Sequence, residues 1–160
     1  MSTRLLLATC LLGLAATGAG YAQKIDVDVP AGITKLGDTR FAIADDLNIM
    51  LQLYPRQQYE KPQFFQKIVT AEFEEKQKEL QNVKFPVRTQ KLIKEQVTDG
   101  LKGHGFVLVG ENDKGEKAAI CGYYLERGDH IVRVTIMGNG VTYEANTNTI
   151  TALLKTIRVK

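Results

Sequence analysis

The sequence predicts an α+β fold, in which two or three helices pack on an antiparallel sheet made of an N-terminal hairpin and a C-terminal three-stranded meander. Runs in which apolar and polar residues alternate lie in both halves of the chain. Runs with helical spacing of apolar residues lie between them and at the C-terminus. Strands and helices do not alternate one by one, which argues against a doubly wound parallel sheet.

Residues 1–22 have the features of a cleavable secretory signal. Arg4 is the only charged residue of this segment, and the run 5–16 is uncharged and rich in Leu and Ala. That run is shorter than the roughly 20 apolar residues of a membrane-spanning helix. Gly20 and Ala22 supply the small side chains that signal peptidase requires, so we expect cleavage after Ala22.

The mature chain is then expected to be residues 23–160, one α+β domain without a membrane span. A lipoprotein anchored through Cys10 is an alternative, but Thr9 stands where lipoproteins normally have Gly, Ala or Ser. A retained anchor helix is the other alternative. The formal net charge of +3 gives no argument for nucleic acid or an anionic membrane surface as a partner. Loss of Cys10 leaves Cys121 alone, so we expect no internal disulfide.

Two-residue alternation predicts the N-terminal strands. Residues 24–29 alternate Ile and Val with Lys and Asp. Residues 39–44 and 47–54 each place apolar side chains on one face, and an Asp-Asp pair at 45–46 separates them. We therefore expect a hairpin with its turn at this pair.

Helical spacing predicts the helices. The first begins at Pro62, which suits the first turn of a helix, and ends near Asn82. A second, shorter helix is predicted over residues 86–101, and the last follows an N-cap at Asn146 or Thr147. Their apolar stripes are, in order, Phe65, Ile68, Val69, Phe73 and Leu80; Leu92, Ile93, Val97 and Leu101; and Ile150, Leu153, Leu154 and Ile157.

Three strand-like runs rich in Val, Ile and Tyr predict the C-terminal meander. They cover residues 106–110, 117–126 and 130–138. The connections at 112–115 and 127–129 are short and carry turn residues. The second connection reads Arg-Gly-Asp, which we interpret as a hairpin tip rather than an adhesion motif.

One cysteine and two histidines are the residues from which a catalytic site would have to be built. Cys121 falls in the middle of a predicted strand, and a thiol nucleophile needs a base within hydrogen-bond reach. The spacing of His104 and His130 does not suit a metal site. A pairing of Cys121 with His130 depends on a strand register that the sequence does not fix, and nothing in the sequence motivates it. We interpret Cys121 as a buried structural thiol and predict no catalytic residue, metal site or cofactor. A thiol enzyme or hydrolase that uses Cys121 with one histidine is the alternative.

Four residues are candidates for a protein-binding surface. Tyr54 and Tyr59 flank the segment before the first helix, beside Arg56. Tyr124 follows Tyr123 in a predicted strand, so one of the two is expected to face away from the core. Tyr and Arg are enriched where proteins bind each other. The alternative interpretation places these tyrosines half buried under helices.

The sequence resembles Mog1/PsbP-like domains, which include exported bacterial proteins of the DcrB type. The early strand IDVDVPAG ends in Pro-Ala-Gly, as such domains often end theirs in Pro-x-Gly, and YYLERGDHIVRVTI matches a hairpin. The closing helix TNTITALLKTIRVK carries Thr-Ile-Arg at 156–158, where the family has Ser-Ile-Arg. Two features depart from the family: Ile33 replaces an aromatic residue, and residues 86–101 look helical where a strand is expected. The resemblance implies a binding or accessory role.

The sequence therefore favours a non-enzymatic exported domain, periplasmic or secreted, that binds a protein partner in an assembly, immunity or inhibitor role. A carrier with a small-ligand pocket between sheet and helices is a further alternative.

Overall fold

The computed structural model describes residues 23–59 and 61–160, so the predicted signal at 1–22 lies outside the described residues. The described strands are β1 (Ile25–Asp26), β2 (Thr34–Gly37), β3 (Arg40–Ile43), β4 (Leu47–Pro55), β5 (Val87–Ile93), β6 (Gln96–Thr98), β7 (Leu101–Glu111), β8 (Lys117–Arg127), β9 (His130–Asn139) and β10 (Arg158–Val159). The described helices are α1 (Pro62–Asn82), α2 (Gly140–Ala145) and α3 (Thr147–Thr156), with a short 3₁₀ turn at Arg56–Tyr59.

The main sheet is antiparallel and has eight strands. Its order is β2-β3-β4-β9-β8-β7-β5, and β6 adds to β7. The α+β class is confirmed, and so are the N-terminal hairpin β3–β4 and the meander β7–β8–β9. The β4–β9 pairing joins the hairpin to the meander.

The turn between β3 and β4 lies close to the predicted position. Ala44 and Asp45 both adopt left-handed backbone conformations, with φ of 50° and 58°. Left-handed residues match the twist of a hairpin connection, and Asp tolerates this region better than most residues. The turn therefore leaves Asp45 and Asp46 exposed at one end of the sheet.

The Arg-Gly-Asp turn between β8 and β9 has a structural role. Gly128 is left-handed, with φ of 59°. Arg127 Nε donates to the carbonyl oxygen of Ile157 at 2.7 Å, and its Nη2 donates to that of Leu154 at 3.2 Å. The guanidinium thus satisfies carbonyl groups at the end of α3, which have no partners within the helix.

Both faces of the sheet are covered, so there are two apolar clusters. Helices α2 and α3 cover one face, where Leu125, Val134 and Leu153 are fully buried. Helix α1 lies on the other face and packs on β7, β5 and β8. Consecutive residues of a central strand are therefore both buried. The prediction that Tyr123 or Tyr124 faces away from the core is wrong for this reason: each lies in a different cluster.

The first and last helices are confirmed at their predicted positions. Helix α1 begins at Pro62 and ends at Asn82, and Lys84, two residues further on, takes the left-handed conformation, with φ of 66°. Helix α3 begins after Asn146 and buries its predicted apolar stripe. Helix α2 was not predicted; the side chain of Asn139 caps it by accepting from two backbone N–H groups of its first turn.

The predicted helix over residues 86–101 is wrong, because this segment forms strands β5 and β6 and enters β7. Strand β5 is the edge of the sheet beyond β7, so most of its side chains are exposed and it lacks two-residue alternation. Glu95 has a φ of 66°, which ends β5 before β6 begins. The strand that the family resemblance implies in this region is therefore present.

The predicted first strand, 24–29, is regular only at Ile25–Asp26, where it pairs with β10. Asp26 forms an ion pair with Lys160 Nζ at 2.6 Å, and Asp28 forms one with Arg158. In residues 23–59 and 61–160, the helices fall short of the length and apolarity that crossing a membrane requires.

Candidate functional site

Helix α1 leaves part of its face of the sheet uncovered. It packs chiefly on β7, β5 and β8, whereas β2, β3 and β4 extend beyond it on the other side of β9. This uncovered part is the floor of an open groove with a volume of about 720 Å³. Pockets for small ligands span roughly 300–1,000 Å³, so the groove is large enough to take a ligand or a segment of a partner.

The floor of the groove is mainly apolar. In the β4–β9 pairing Met50 lies opposite Thr135 and Asn48 lies opposite Met137. Ile120 lies opposite Met137 in the β8–β9 pairing, so these side chains share one face of three neighbouring strands. Methionine side chains are flexible and polarizable, and they adapt to the shape of a bound partner.

The walls of the groove are lined by apolar side chains, two of which are exposed. Leu80, Val83 and Phe85 form the wall on the side of α1, and Leu36 of β2 lies on the opposite rim. Val83 is 41% exposed and Leu36 is 55% exposed. Among the described residues, the exposed large apolar side chains are Leu36, Ile68, Val83 and Val141. Two of these four line the groove, so its apolar surface continues from the floor to the rim.

Two charged residues of the rim, Lys117 and Glu79, form ion pairs within the protein. Lys117 Nζ lies 2.7 Å from a carboxylate oxygen of Glu144. Lys76 Nζ lies 2.7 Å from a carboxylate oxygen of Glu79. The pairing of Lys117 with Glu144 raises the pKa of the lysine, so its charge persists and stays paired.

Three other charged residues of the rim have no ion-pair partner among residues 23–59 and 61–160. Arg40 lies on β3, opposite Met50. Asp45 and Asp46 lie in the β3–β4 turn at the end of the groove. The rise of a strand separates Arg40 from this turn by about 15 Å. The groove therefore has an acidic end and, further along, a basic side.

A polar network lies on the same sheet face as the groove floor. It begins at the next cross-strand pair on that face, Gln52 and Arg133. Glu72 of α1 accepts hydrogen bonds from Arg133 Nη2 and from the Tyr124 hydroxyl. Arg133 Nη1 donates to Gln52 Oε1 at 3.1 Å, and the Tyr54 hydroxyl donates to the same oxygen at 3.3 Å. The side chains of Arg133 and Glu72 are only 20% and 11% exposed. This network attaches α1 to the sheet.

The four predicted binding residues lie in two environments. Tyr54 and Tyr124 belong to the polar network, where Tyr124 is buried beneath α1 and Tyr54 is half buried. Arg56 is exposed at the end of β4, and its Nη2 lies 3.4 Å from a carboxylate oxygen of Glu126. Tyr59 is the last residue of the 3₁₀ turn that begins at Arg56. Tyr54, Arg56 and Tyr124 do not line the groove, which is built from residues that the sequence analysis did not name as binding candidates.

The prediction that Cys121 is buried is confirmed. Cys121 is buried on the sheet face that α3 covers, opposite Val107 and Ile136. Burial raises the pKa of the thiol to about 12, so it is protonated at neutral pH. His104 pairs with Tyr124 and lies on the opposite face, so the sheet separates the thiol from this imidazole.

His104 is the buried polar residue of the α1 face among the described residues. Its ring centroid lies 4.5 Å from that of Phe65, in an edge-to-face arrangement. Its Nδ1 accepts a hydrogen bond from the backbone N–H of Glu95 at 3.5 Å. Burial lowers the pKa of His104, and the negative charges of Glu126 and Glu95 raise it by a smaller amount.

The depressed pKa of His104 predicts a loss of stability in mild acid. As the pH falls, His104 of the unfolded chain binds a proton first, at a pKa of about 6.5. The contribution of His104 to the free energy of unfolding is therefore fully present above this pH, and it decreases below it until the lower pKa of the folded state is passed. One proton gives a slope of at most about 1.4 kcal/mol per pH unit. Urea unfolding between pH 7.5 and 5 measures this slope. His104→Asn, which keeps an acceptor without a titrating group, is expected to reduce it; an unchanged slope would contradict the assignment.

Comparisons by sequence give no family: no family profile matches the chain, and no curated protein matches it. Comparison of structures finds LpqN of Mycobacterium tuberculosis, described as involved in cell envelope biogenesis, at a TM-score of 0.49 and 10% identity over 87% of this chain and 84% of that one. It also finds a Pseudomonas aeruginosa protein of unknown function, described as a putative regulator, at 0.39 and 14% identity over 89% and 88%. The cyanobacterial PsbP of Synechocystis sp. PCC 6803 matches at 0.44 and 10% identity over 93% and 99%. The neighbours thus include a PsbP, the family that the sequence resembles, and at these scores they say nothing about activity or partner.

Proposed function

We propose that this protein is a non-enzymatic, exported binding domain that holds a segment of a protein partner in the groove beside α1. The observation that carries the proposal is the apolar sheet surface that α1 leaves uncovered, with Met50 and Met137 on its floor. Export is inferred from the signal-like residues 1–22.

The surface of the groove is sufficient for a moderate affinity. Complete burial of an exposed Leu, Val or Met side chain contributes about 1.5–3 kcal/mol. Leu36, Val83 and the two floor methionines together contribute several kcal/mol on this scale, and the apolar side chains of the partner add a similar amount. Association and ordering costs offset a large part of this gain. We therefore expect a dissociation constant in the micromolar range, which corresponds to a binding free energy of about −8 kcal/mol.

A small-ligand carrier is the second candidate, favoured by the groove volume of about 720 Å³. The rim argues for a macromolecule instead. A carrier site encloses most of the surface of its ligand, whereas Leu36 and Val83 are exposed at the edges of an open groove. A partner segment that covers both rims would bury them, which a ligand confined to the floor would not.

Photo-crosslinking in the source cells tests the proposal. A photoreactive amino acid replaces Val83 or Leu36 in the groove, or Val141 as a control; Val141 is 57% exposed on α2 and lies outside the groove. We expect the two groove positions to capture the same protein from the exported fraction, and the control position to capture none of it. That protein, once purified, is expected to bind at least tenfold more weakly to Val83→Asp, and within twofold of the parent to Val141→Asp.

The same preparation distinguishes the carrier. Native mass spectrometry of the protein isolated from its source measures any bound small molecule. A stoichiometric apolar ligand, together with no protein crosslink from either groove position, would replace the proposed function with the carrier. Equal capture from the groove and from Val141 would also contradict the proposal.

A further inference from the structure

We infer that the segment held in the groove is a single amphipathic α-helix of about ten residues that lies antiparallel to α1. The inference rests on the proposed function and specifies the chemistry of the partner. It is carried by the width of the uncovered sheet, the spacing of the unpaired charges and the direction of α1.

The width of the uncovered surface fits one helix. From β9 to β2 there are three strand spacings, which is about 14 Å at roughly 4.8 Å each. A helix with its side chains is about 10–12 Å in diameter. Helix α1 already occupies the neighbouring part of this face, so a second helix would complete the layer of helices on the sheet.

The length follows from the unpaired charges. Arg40 and the Asp45-Asp46 turn are about 15 Å apart along β3. At 1.5 Å per residue, a helix of about ten residues spans this distance. Three turns place four or five side chains on one face, in line with the apolar floor.

The charges also set the direction of the helix. A helix carries partial positive charge at its N-terminus and partial negative charge at its C-terminus. The carboxylates of Asp45 and Asp46 therefore favour the N-terminus of the bound helix, and the guanidinium of Arg40 favours its C-terminus. In this orientation the bound helix runs in the direction of β4, which begins at Leu47 beside the acidic turn.

Helix α1 favours the same orientation. Phe65, near its start, lies 5.6 Å from the Tyr124 ring, and Leu80, near its end, packs in the same cluster as Ile120. Helix α1 therefore runs opposite to β8, and opposite to β4 because both strands are antiparallel to β9. Its C-terminus lies at the acidic end of the groove, and its last turn contains no basic residue. The N-terminus of an antiparallel helix would meet this negative end.

An extended segment fits less well. Addition of a strand requires a regular free edge, and the edge of the sheet that borders the groove is β2. Strand β2 has only four residues, and its register with β3 shifts between Lys35 and Gly37. A short, irregular edge of this kind disfavours pairing with another strand.

Two synthetic helical peptides test the inference. Each has about 12 residues, a Leu/Met face at helical spacing and a staple on the outer face that keeps the helicity of both equal. One carries Lys in its first turn and Glu in its last; the other has these charges exchanged. Fluorescence anisotropy at low salt with the purified protein measures binding. We expect the first peptide to bind about tenfold more tightly, because in the antiparallel orientation its charges and its helix dipole both complement Arg40, Asp45 and Asp46. The second peptide can pair with these charges only when it is reversed, against the dipole.

Charge reversal supplies the matched control. The variant Arg40→Glu/Asp45→Lys/Asp46→Lys is expected to invert the preference between the peptides, and Val83→Asp to weaken both. Val141→Asp should change neither. Circular dichroism checks that each variant is folded; if the triple variant is not, loss of the preference of the parent protein at high salt is the substitute measurement.

The outcomes separate the inference from the proposed function. Equal binding of the two peptides, or the opposite preference, would overturn the orientation, and binding of neither would overturn the helical occupant. A groove-crosslinked partner whose contact segment is extended would also overturn the helix, while the protein-binding function would stand. Absence of a partner crosslink, with the expected peptide preference intact, would overturn the function and leave the helix specificity of the groove.

Discussion

Replacement of Arg133 by methionine is expected to lower the free energy of unfolding by about 2–4 kcal/mol. The guanidinium pairs with Glu72 of α1, and Glu72 is only 11% exposed. The substitution leaves that carboxylate beneath the helix with the Tyr124 hydroxyl and without its cation. Loss of one partner of a buried pair is costly because the remaining charge stays desolvated. Urea denaturation of the parent and variant measures the difference.

Two controls test this explanation. In Glu72→Met/Arg133→Met neither charge remains. The loss of unfolding free energy in this double variant is expected to be smaller than the summed losses of the two single variants by at least about 1.5 kcal/mol. Arg158 pairs with Asp28 where both side chains are more than half exposed, at 58% and 69%. Arg158→Met is therefore expected to cost less than about 1 kcal/mol. An equal cost for Arg133→Met and Arg158→Met would contradict a buried network.

The network also explains why the groove remains open. Glu72 and Arg133 fix the middle of α1 above β8 and β9, and Tyr124 fixes it from the neighbouring strand. A helix held there lies too far from β2 and β3 to cover them. Substitutions that release α1 are thus expected to affect partner binding through the position of the groove wall.

The elements that could be predicted from the sequence are the helices and strands that have one buried face and one exposed face. Helix α1 has one buried and one exposed side, so its apolar stripe is visible in the sequence, although Ile68, which was predicted to belong to the stripe, is exposed. Strand β5 is an edge strand with exposed side chains at 88–91, and it lacked the expected alternation. Glu95 lies in a left-handed turn between β5 and β6, which divides the segment into two short strands.

The groove could not be predicted, because it depends on strand order. Met50 and Met137 share its floor only because β4 pairs with β9, a contact between distant parts of the chain. Tyr124 is a candidate surface residue only if the sheet has an open face at that position. Helix α1 covers that position, and the open face lies beyond β9, where the sequence pattern gives no sign that the sheet is left uncovered.

Gly122 is the second position at which a large effect is expected. A Cβ atom there would lie 2.6 Å from Cε1 and 2.9 Å from Cζ of Phe106. The Phe106 ring cannot move away easily, because it is fully buried and packs edge-to-face on Phe73, with centroids 6.1 Å apart. Gly122→Val is therefore expected to destabilise the protein by about 3 kcal/mol through overpacking. Urea denaturation measures this loss.

Two further comparisons test whether a clash with Phe106 causes this loss. Gly37 in β2 has open space where its Cβ would lie, so Gly37→Val is expected to change stability by less than about 0.5 kcal/mol. Phe106→Ala removes the obstructing ring and costs about 3–5 kcal/mol by leaving a cavity. In Phe106→Ala/Gly122→Val the new side chain enters that cavity, so the combined loss should be smaller than the sum by more than about 1 kcal/mol. Simple additivity would mean that Gly122 is required for its backbone rather than for the space that Phe106 occupies.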